Sequence, residues 1–392
     1  MRWRRFFLLG IIGLLLSICL ACEQPIASHS EPIASAAPTP IESPAALPPE
    51  TQAIAQTVEN LYNPSRGEVR LAIISDLNSA YGSTDYEPEV DKGIQLLPFW
   101  QPDLVLCGGD MVAGQKTSLT PAQIRAMWAA FDRHVAAPLR QYGIPFGFTV
   151  GNHDASSATA SDGSFSFQQE RDLAKEYWNA SDHHPGVQFV DRNDFPFYYT
   201  FTYQDIFFVV WDGSSSRIPA AKLAWVEQAL ASPTAQQAKL RILLGHLPLY
   251  AVAVGRDAPG EVMDNAETLR ALLEKHNVHT YISGHHHAYY PAHKGSLQLL
   301  HTGILGAGPR PLIDSELPPR KTLSIIDINF DKPELTIDTT YDISTLQPIQ
   351  TSELPRYLTG HNGMVLRRDV PDLNATERNL CEQKLGAAYC KA

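Results

Sequence analysis

Five times in this chain a short apolar run stops abruptly at a polar cluster, and that repeated junction constrains the fold more than any other feature. Val69-Arg70-Leu71-Ala72-Ile73-Ile74 leads into Ser75-Asp76-Leu77-Asn78, and Leu104-Val105-Leu106-Cys107 into Gly108-Gly109-Asp110. The run 146–150 leads into Gly151-Asn152-His153-Asp154, 240–244 into Gly245-His246, and 279–282 into Gly284-His285-His286-His287. Runs this short and this apolar read as buried strands. In an α/β sheet the carboxyl ends of strands converge on a ligand crevice, so five such junctions bring carboxylates, amides and imidazoles together. Glycine in four of the five clusters lets the backbone turn sharply and approach closely.

Further strands are expected at 197–203, 206–211, 297–301 and 323–330, with amphipathic helices between them. Thr120-Pro121-Ala122-Gln123 supplies an N-cap, a first-turn proline and a capping-box glutamine ahead of Ile124, Trp128, Phe131 and Val135. Asp264 with Glu267 is a similar start, and Leu223, Val226 and Leu230 mark a third helix. This alternation predicts one α/β domain over 67–345, followed by a C-terminal extension at 346–392. The chain's 44% hydrophobic content suffices for a sizeable core.

The N-terminus differs in kind. Residues 1–21 carry Arg2, Arg4 and Arg5 before an apolar stretch ending at Ala21-Cys22, which reads as a secretory signal. Closure on Ala-Cys resembles a bacterial lipoprotein signal, with Cys22 acylated and anchored in the membrane; ordinary cleavage after Ala21, or a retained N-terminal anchor, is the alternative. Residues 22–66 read as a Pro/Ala/Ser-rich linker. The expected location is therefore outside the cell or in the periplasm, tethered to a membrane. There Cys381 and Cys390 are free to pair, while Cys107 reads as a buried core residue. The net charge of −11 supplies no basic stripe for a phosphate backbone, so no nucleic-acid partner is expected.

Carboxylate, imidazole and amide oxygen without thiolate suit Mn, Fe, Zn or Mg. A shared carboxylate lets two such ions sit close together. The ordered set Asp76, Gly109-Asp110, Gly151-Asn152-His153-Asp154, His246 and Gly284-His285-His286-His287 resembles the calcineurin-like metallophosphoesterase superfamily from about Val69 to Phe330. The resemblance implies a four-layer α/β/β/α sandwich with a dinuclear metal site at strand-end loops. It implies Asp76 and His287 as ligands of a first metal, Asp110 as the bridge, and Asn152, His246 and His285 as ligands of a second. His153 would be the non-ligand catalytic histidine, with Asp154 holding its imidazole in place. His286 would face away, solvated or supporting.

One position departs from the family pattern. The superfamily begins D-x-H, and here the third residue is Asn78; the tyrosine by which its purple-acid-phosphatase branch replaces that histidine is Ala113 here. Asn78 is expected to hold the first metal weakly through its amide oxygen, or to hold a water on it. The activity implied is hydrolysis of a small phosphorylated substrate by a metal-bridging hydroxide, with His153 as general acid or transition-state stabiliser. The alternative is a catalytically weak or silent metal-binding module of the same fold. Asp212 reads as a turn or cap residue.

Overall fold

The computed structural model describes residues 47–332 and 335–391. The signal-like segment 1–21, Cys22 and the linker as far as residue 46 lie outside the described residues.

Two β-sheets face each other. The first has six strands, in the order Gln347–Pro348, Thr336–Asp342, Thr322–Ile328, Val69–Ile74, Leu104–Cys107 and Phe146–Phe148. The second has nine: Tyr357–Gly360, Gly363–Arg367, Tyr289–Lys294, Leu297–Thr302, Thr280–Ser283, Leu240–Leu244, Ile206–Val210, Tyr198–Tyr203 and Gln188–Asp194. The strands that carry the polar clusters run parallel within each sheet, Ile73 opposite Leu106 in one and Leu244 opposite Ile282 in the other. Their carboxyl ends therefore share an edge.

Central strands are buried on both faces; every residue of Val69–Ile74, Ile206–Val210 and Thr322–Ile328 is buried. Between the layers the Tyr199 hydroxyl accepts from the Phe148 N–H at 3.0 Å. Helices cover the outer faces. Pro88–Trp100 lays Ile94, Leu97 and Trp100 against the first sheet, where Trp100 meets Tyr341 at 4.7 Å. Ala220–Leu230 and Ala266–Lys275 cover the second with Val226, Leu230, Leu269 and Leu273. The expected capping box forms at Thr120 and Gln123. Ala266–Lys275 starts from Asn265 instead, because Asp264 is drawn to Arg217 at 2.7 Å.

Two boundaries differ from expectation. Residues 47–66, expected within the linker, pack on the domain: helix Pro49–Ala55 buries Thr51, whose hydroxyl donates to Gln95 O at 2.6 Å. Buried Arg70 explains the docking. It pairs with Asp327 at 2.9 Å and 3.0 Å and spends its other donors on Asn63 Oδ1, Pro64 O and Trp100 O. A buried guanidinium needs all these acceptors, so the chain before residue 67 becomes part of the core. The region 346–392 is equally integrated. Gly363–Arg367 pairs with Tyr289–Lys294 and carries Tyr357–Gly360 on its other side as the edge strand, and the Cys381–Cys390 disulfide lies in a satellite core with Met364, Leu366 and Val370.

Burial pushes the imidazoles of His279 and His301 down, to about 4 and about 3. The unfolded chain binds protons at these positions from about pH 6.5 downward while the folded one does not, so stability falls with pH between about 6.5 and 4. Urea unfolding at several pH values should show this slope. His301→Leu should flatten it by up to about 1.4 kcal/mol per pH unit, because both His301 ring nitrogens are buried without a partner.

Candidate metal centre

The strand-end loops converge through their own backbones. The Asp76 N–H donates to Gly109 O at 2.9 Å, Leu77 and Asn78 N–H to Asp110 O, and Gly284 N–H to His246 O at 3.0 Å. Glycine makes this approach feasible: a Cβ on Gly151 would lie 2.1 Å from Asp110 Oδ1, and Gly109, at φ +99°, would meet His246 Nδ1 at 2.7 Å. Four residues of the cluster adopt left-handed backbone, Asp76, Asp110, His285 and His287, at φ 51°, 54°, 65° and 55°. Each such conformation costs on the order of 1 kcal/mol outside glycine and persists where the surroundings fix it.

One ligand atom from each of Asp76, Asp110 and His246 lies within 4.8 Å of the others, and all three residues are buried. Asn152 Oδ1 stands 2.9 Å from His246 Nε2 and 2.9 Å from His285 Nδ1. Asp110 Oδ2 lies 3.3 Å from His246 Nε2 and is buried with no hydrogen-bond partner, while Oδ1 accepts from the His153 N–H at 2.8 Å. His287 Nε2 lies 3.3 Å from Asp76 Oδ1. Thus Asp76, Asp110, Asn152, His246, His285 and His287 meet. An unpartnered buried carboxylate oxygen among lone-pair donors fits a cation, and the donor set fits divalent ions.

The far ring nitrogens fix the tautomers. His246 Nδ1 donates to Gly108 O at 2.8 Å and His287 Nδ1 to Gly308 O at 3.0 Å, so each Nε2 keeps its lone pair toward the cluster. His285 is held oppositely: Nε2 donates to Glu261 at 2.9 Å, leaving Nδ1 free. That hydrogen bond, with Arg256 at 2.5 Å, holds the Glu261 carboxyl down at about 2. Burial resists ionisation of Asp110, yet His246 and His153 outweigh it and keep the carboxyl well below its usual range.

Asn78 is buried on the turn that rests on Asp110. His153 sits at the rim, its Nδ1 donating to Gly114 O at 3.2 Å and its Nε2 4.0 Å from Asp110 Oδ2. The expected role of Asp154 is corrected. Its carboxylate accepts from Val112 and Gly151 N–H, both at 2.8 Å, and so ties two loops together while the Gly114 carbonyl holds His153. Burial, then the Asp110 charge, push the Asp154 carboxyl upward. His286 is fully buried, accepting from Val252 N–H and donating to Glu261 O. Glu261 was not legible: it lies 24 residues from His285 in a loop without periodicity.

This architecture defines an α/β sandwich with a candidate metal site where the carboxyl ends of its strands meet. Residues 69–289 match the family model described as Calcineurin-like phosphoesterase, more than half of the chain, and the protein belongs to that family. Among solved structures, the purple acid phosphatase PPD1 from yellow lupin (Lupinus luteus) seeds gives a TM-score of 0.51 at 17% identity, covering 74% of this chain and 54% of that one. The chain thus spans about half the length of the lupin enzyme. GAP50, the anchor in the inner membrane complex of Plasmodium, gives 0.47 at 17% identity over 73% of this chain and 88% of its own. A putative 5′-nucleotidase from Staphylococcus aureus gives 0.40 at 10% identity over 80% and 57%. The likeness to the lupin protein is one of fold. Curated protein sequences give no match.

Glu261→Gln should weaken binding of a divalent ion about tenfold or more, because the His285 ring loses its anionic partner. Competitive chelator titration checks this; unchanged affinity would remove Glu261 from the metal's support.

Proposed function

We propose that the protein is an exported, metal-dependent phosphoesterase acting on a small phosphorylated substrate. In this reading Asp76, Asn78, Asp110, Asn152, His246, His285 and His287 hold two divalent ions. The convergence of Asn152 Oδ1, His246 Nε2 and His285 Nδ1 beside the unpartnered Asp110 Oδ2 carries it. Ions bound there supply Lewis acidity, lowering the pKa of coordinated water and neutralising phosphoryl oxygens.

The chain's own residues do the rest. Asp76 is fixed by the Ser75 hydroxyl at 2.5 Å and the His285 N–H at 3.0 Å, and Asp110 by the His153 N–H, so neither carboxylate reorients during turnover. With Nδ1 donating to Gly114 O, His153 as the imidazolium would present Nε2–H to the reacting phosphoryl group and pass that proton to the departing alkoxide, ending as the neutral ring with its lone pair on Nε2. Export with lipid anchoring at Cys22 completes the proposal, supported by the N-terminal pattern and by a disulfide that suits an oxidising compartment.

Phenyl phosphate and bis(p-nitrophenyl) phosphate, assayed with Mn²⁺, should distinguish monoesterase from diesterase; no turnover of either would instead favour a binding protein of this fold. His153→Ala should lower kcat by about 10²–10⁴ with metal content unchanged. Loss of metal in that variant would make His153 a ligand. Asn78→His should increase metal retained under mild chelation, since imidazole is a stronger donor than an amide oxygen; equal retention would show that Asn78 does not weaken the site.

A further inference from the structure

The loops that follow Asn152–Ala155 and Ile206–Val210 enclose a cavity of about 890 Å³, within the range of small-molecule sites. It lies on the carboxyl edge that carries the metal centre. From Asn152 to Ser157 on the cavity wall is at most about 12 Å of chain.

Its chemistry is specific. The Arg171 guanidinium is clasped between two rings, 4.2 Å from the Phe165 centroid and 3.9 Å from that of Phe197. Phe165 is backed by this cation and still 37% exposed, so ring surface remains on the cavity wall. Its loop is built, since Thr159 bridges to Phe165 and Ser166 N–H donates to Ala158 O at 2.8 Å. Of the four cations on its wall, Arg171 is matched by Asp212 at 2.8 Å, Lys222 by Asp194 and Arg217 by Asp264 at 2.7 Å, while Lys175 has no carboxylate partner among the described residues. A pocket built for a second phosphate would leave its buried guanidinium unpaired, and here the buried Arg171 is already paired with Asp212. A pocket for an alkyl chain would not be ringed by ion pairs and the hydroxyls of Ser215 and Ser216.

We propose that this cavity receives the uncharged, hydroxylated ring of the substrate's alcohol, a sugar or a nucleoside. Phe165 stacks on that ring, and the serine hydroxyls and paired carboxylates accept or donate to its hydroxyl groups. The inference rests on the phosphoesterase reading above and names the substrate class of the same site.

With the Mn²⁺-loaded protein, kcat/KM for adenosine 5′-monophosphate and glucose 6-phosphate should exceed that for ethyl phosphate. Phe165→Ala should reduce this preference by about tenfold, and Phe165→Tyr should restore it. Saturation-transfer NMR with adenosine and methyl glucoside reads the cavity without any turnover; transfer should occur to at least one, showing which ring fits, and should be lost in Phe165→Ala. Absence of both ring preference and transfer in the native protein overturns the proposal, as does survival of both in Phe165→Ala. Transfer without hydrolysis of any phosphate would sink the phosphoesterase reading and leave the ring site standing.

Discussion

The structure is organised around a buried carboxylate with one oxygen left empty. Asp110 is 1% exposed, its Oδ1 is taken by a backbone N–H, and its Oδ2 faces His246 with no hydrogen bond. Fully buried Asp76 presents a second carboxylate to the same space. Two carboxylates sharing a buried site repel, and the side chains that face them are imidazoles, His246 3.3 Å from Asp110 and His287 3.3 Å from Asp76. A bound cation would relieve that repulsion, which is why the arrangement fits one. The left-handed backbones of Asp76, Asp110, His285 and His287 serve the same end, because they turn side chains from separate strands onto one point.

Around that point the protein fixes which nitrogen of each imidazole is basic. Gly108 O and Gly308 O take the Nδ1 protons of His246 and His287, and Gly114 O that of His153; only His285 is gripped by a carboxylate at Nε2. Three backbone carbonyls set orientation without adding charge. Glu261 adds a negative charge behind the one ring that donates through Nδ1, and Arg256 balances it. The rings are oriented by protein atoms before any ion arrives, which lowers the ordering entropy that binding must overcome.

The sequence shows residue types and their order because both are local. A strand ending in Asp, Asn or His beside glycine is visible as such, and so are the buried runs at Val69–Ile74 and Leu240–Leu244. What escapes is everything set by distant packing. Gln188–Asp194 alternates half-buried and exposed residues at a sheet edge, and Gly363–Arg367 gains its strand character by pairing with Tyr289–Lys294. Residues 47–66 look like tether until Arg70 claims Asn63 and Pro64 as acceptors. Asp154 illustrates the limit at the site itself. Adjacency to His153 suggested a hold on the ring, yet the helical turn Asn152–Ala155 sends its carboxylate back to Gly151 and across to Val112, where unsatisfied N–H groups needed an acceptor.

Asp212 shows how such distant packing ties the cavity to the metal centre. A lone aspartate after a strand reads as a turn residue, and its Oδ1 does accept from the Ser214 hydroxyl at 2.5 Å, but its Oδ2 pairs with Arg171. Arg171 donates to Ala155 O at 2.6 Å, and the Ser214 hydroxyl also reaches that carbonyl at 3.3 Å. Ala155 closes the helical turn that carries Asn152 and His153. A shift of Arg171, clasped between Phe165 and Phe197, is therefore transmitted through one hydrogen bond to the backbone that aims those two side chains. The cavity wall and the loop that carries Asn152 and His153 share one set of buried donors, so the positions of the Phe165 ring and the His153 imidazole are linked.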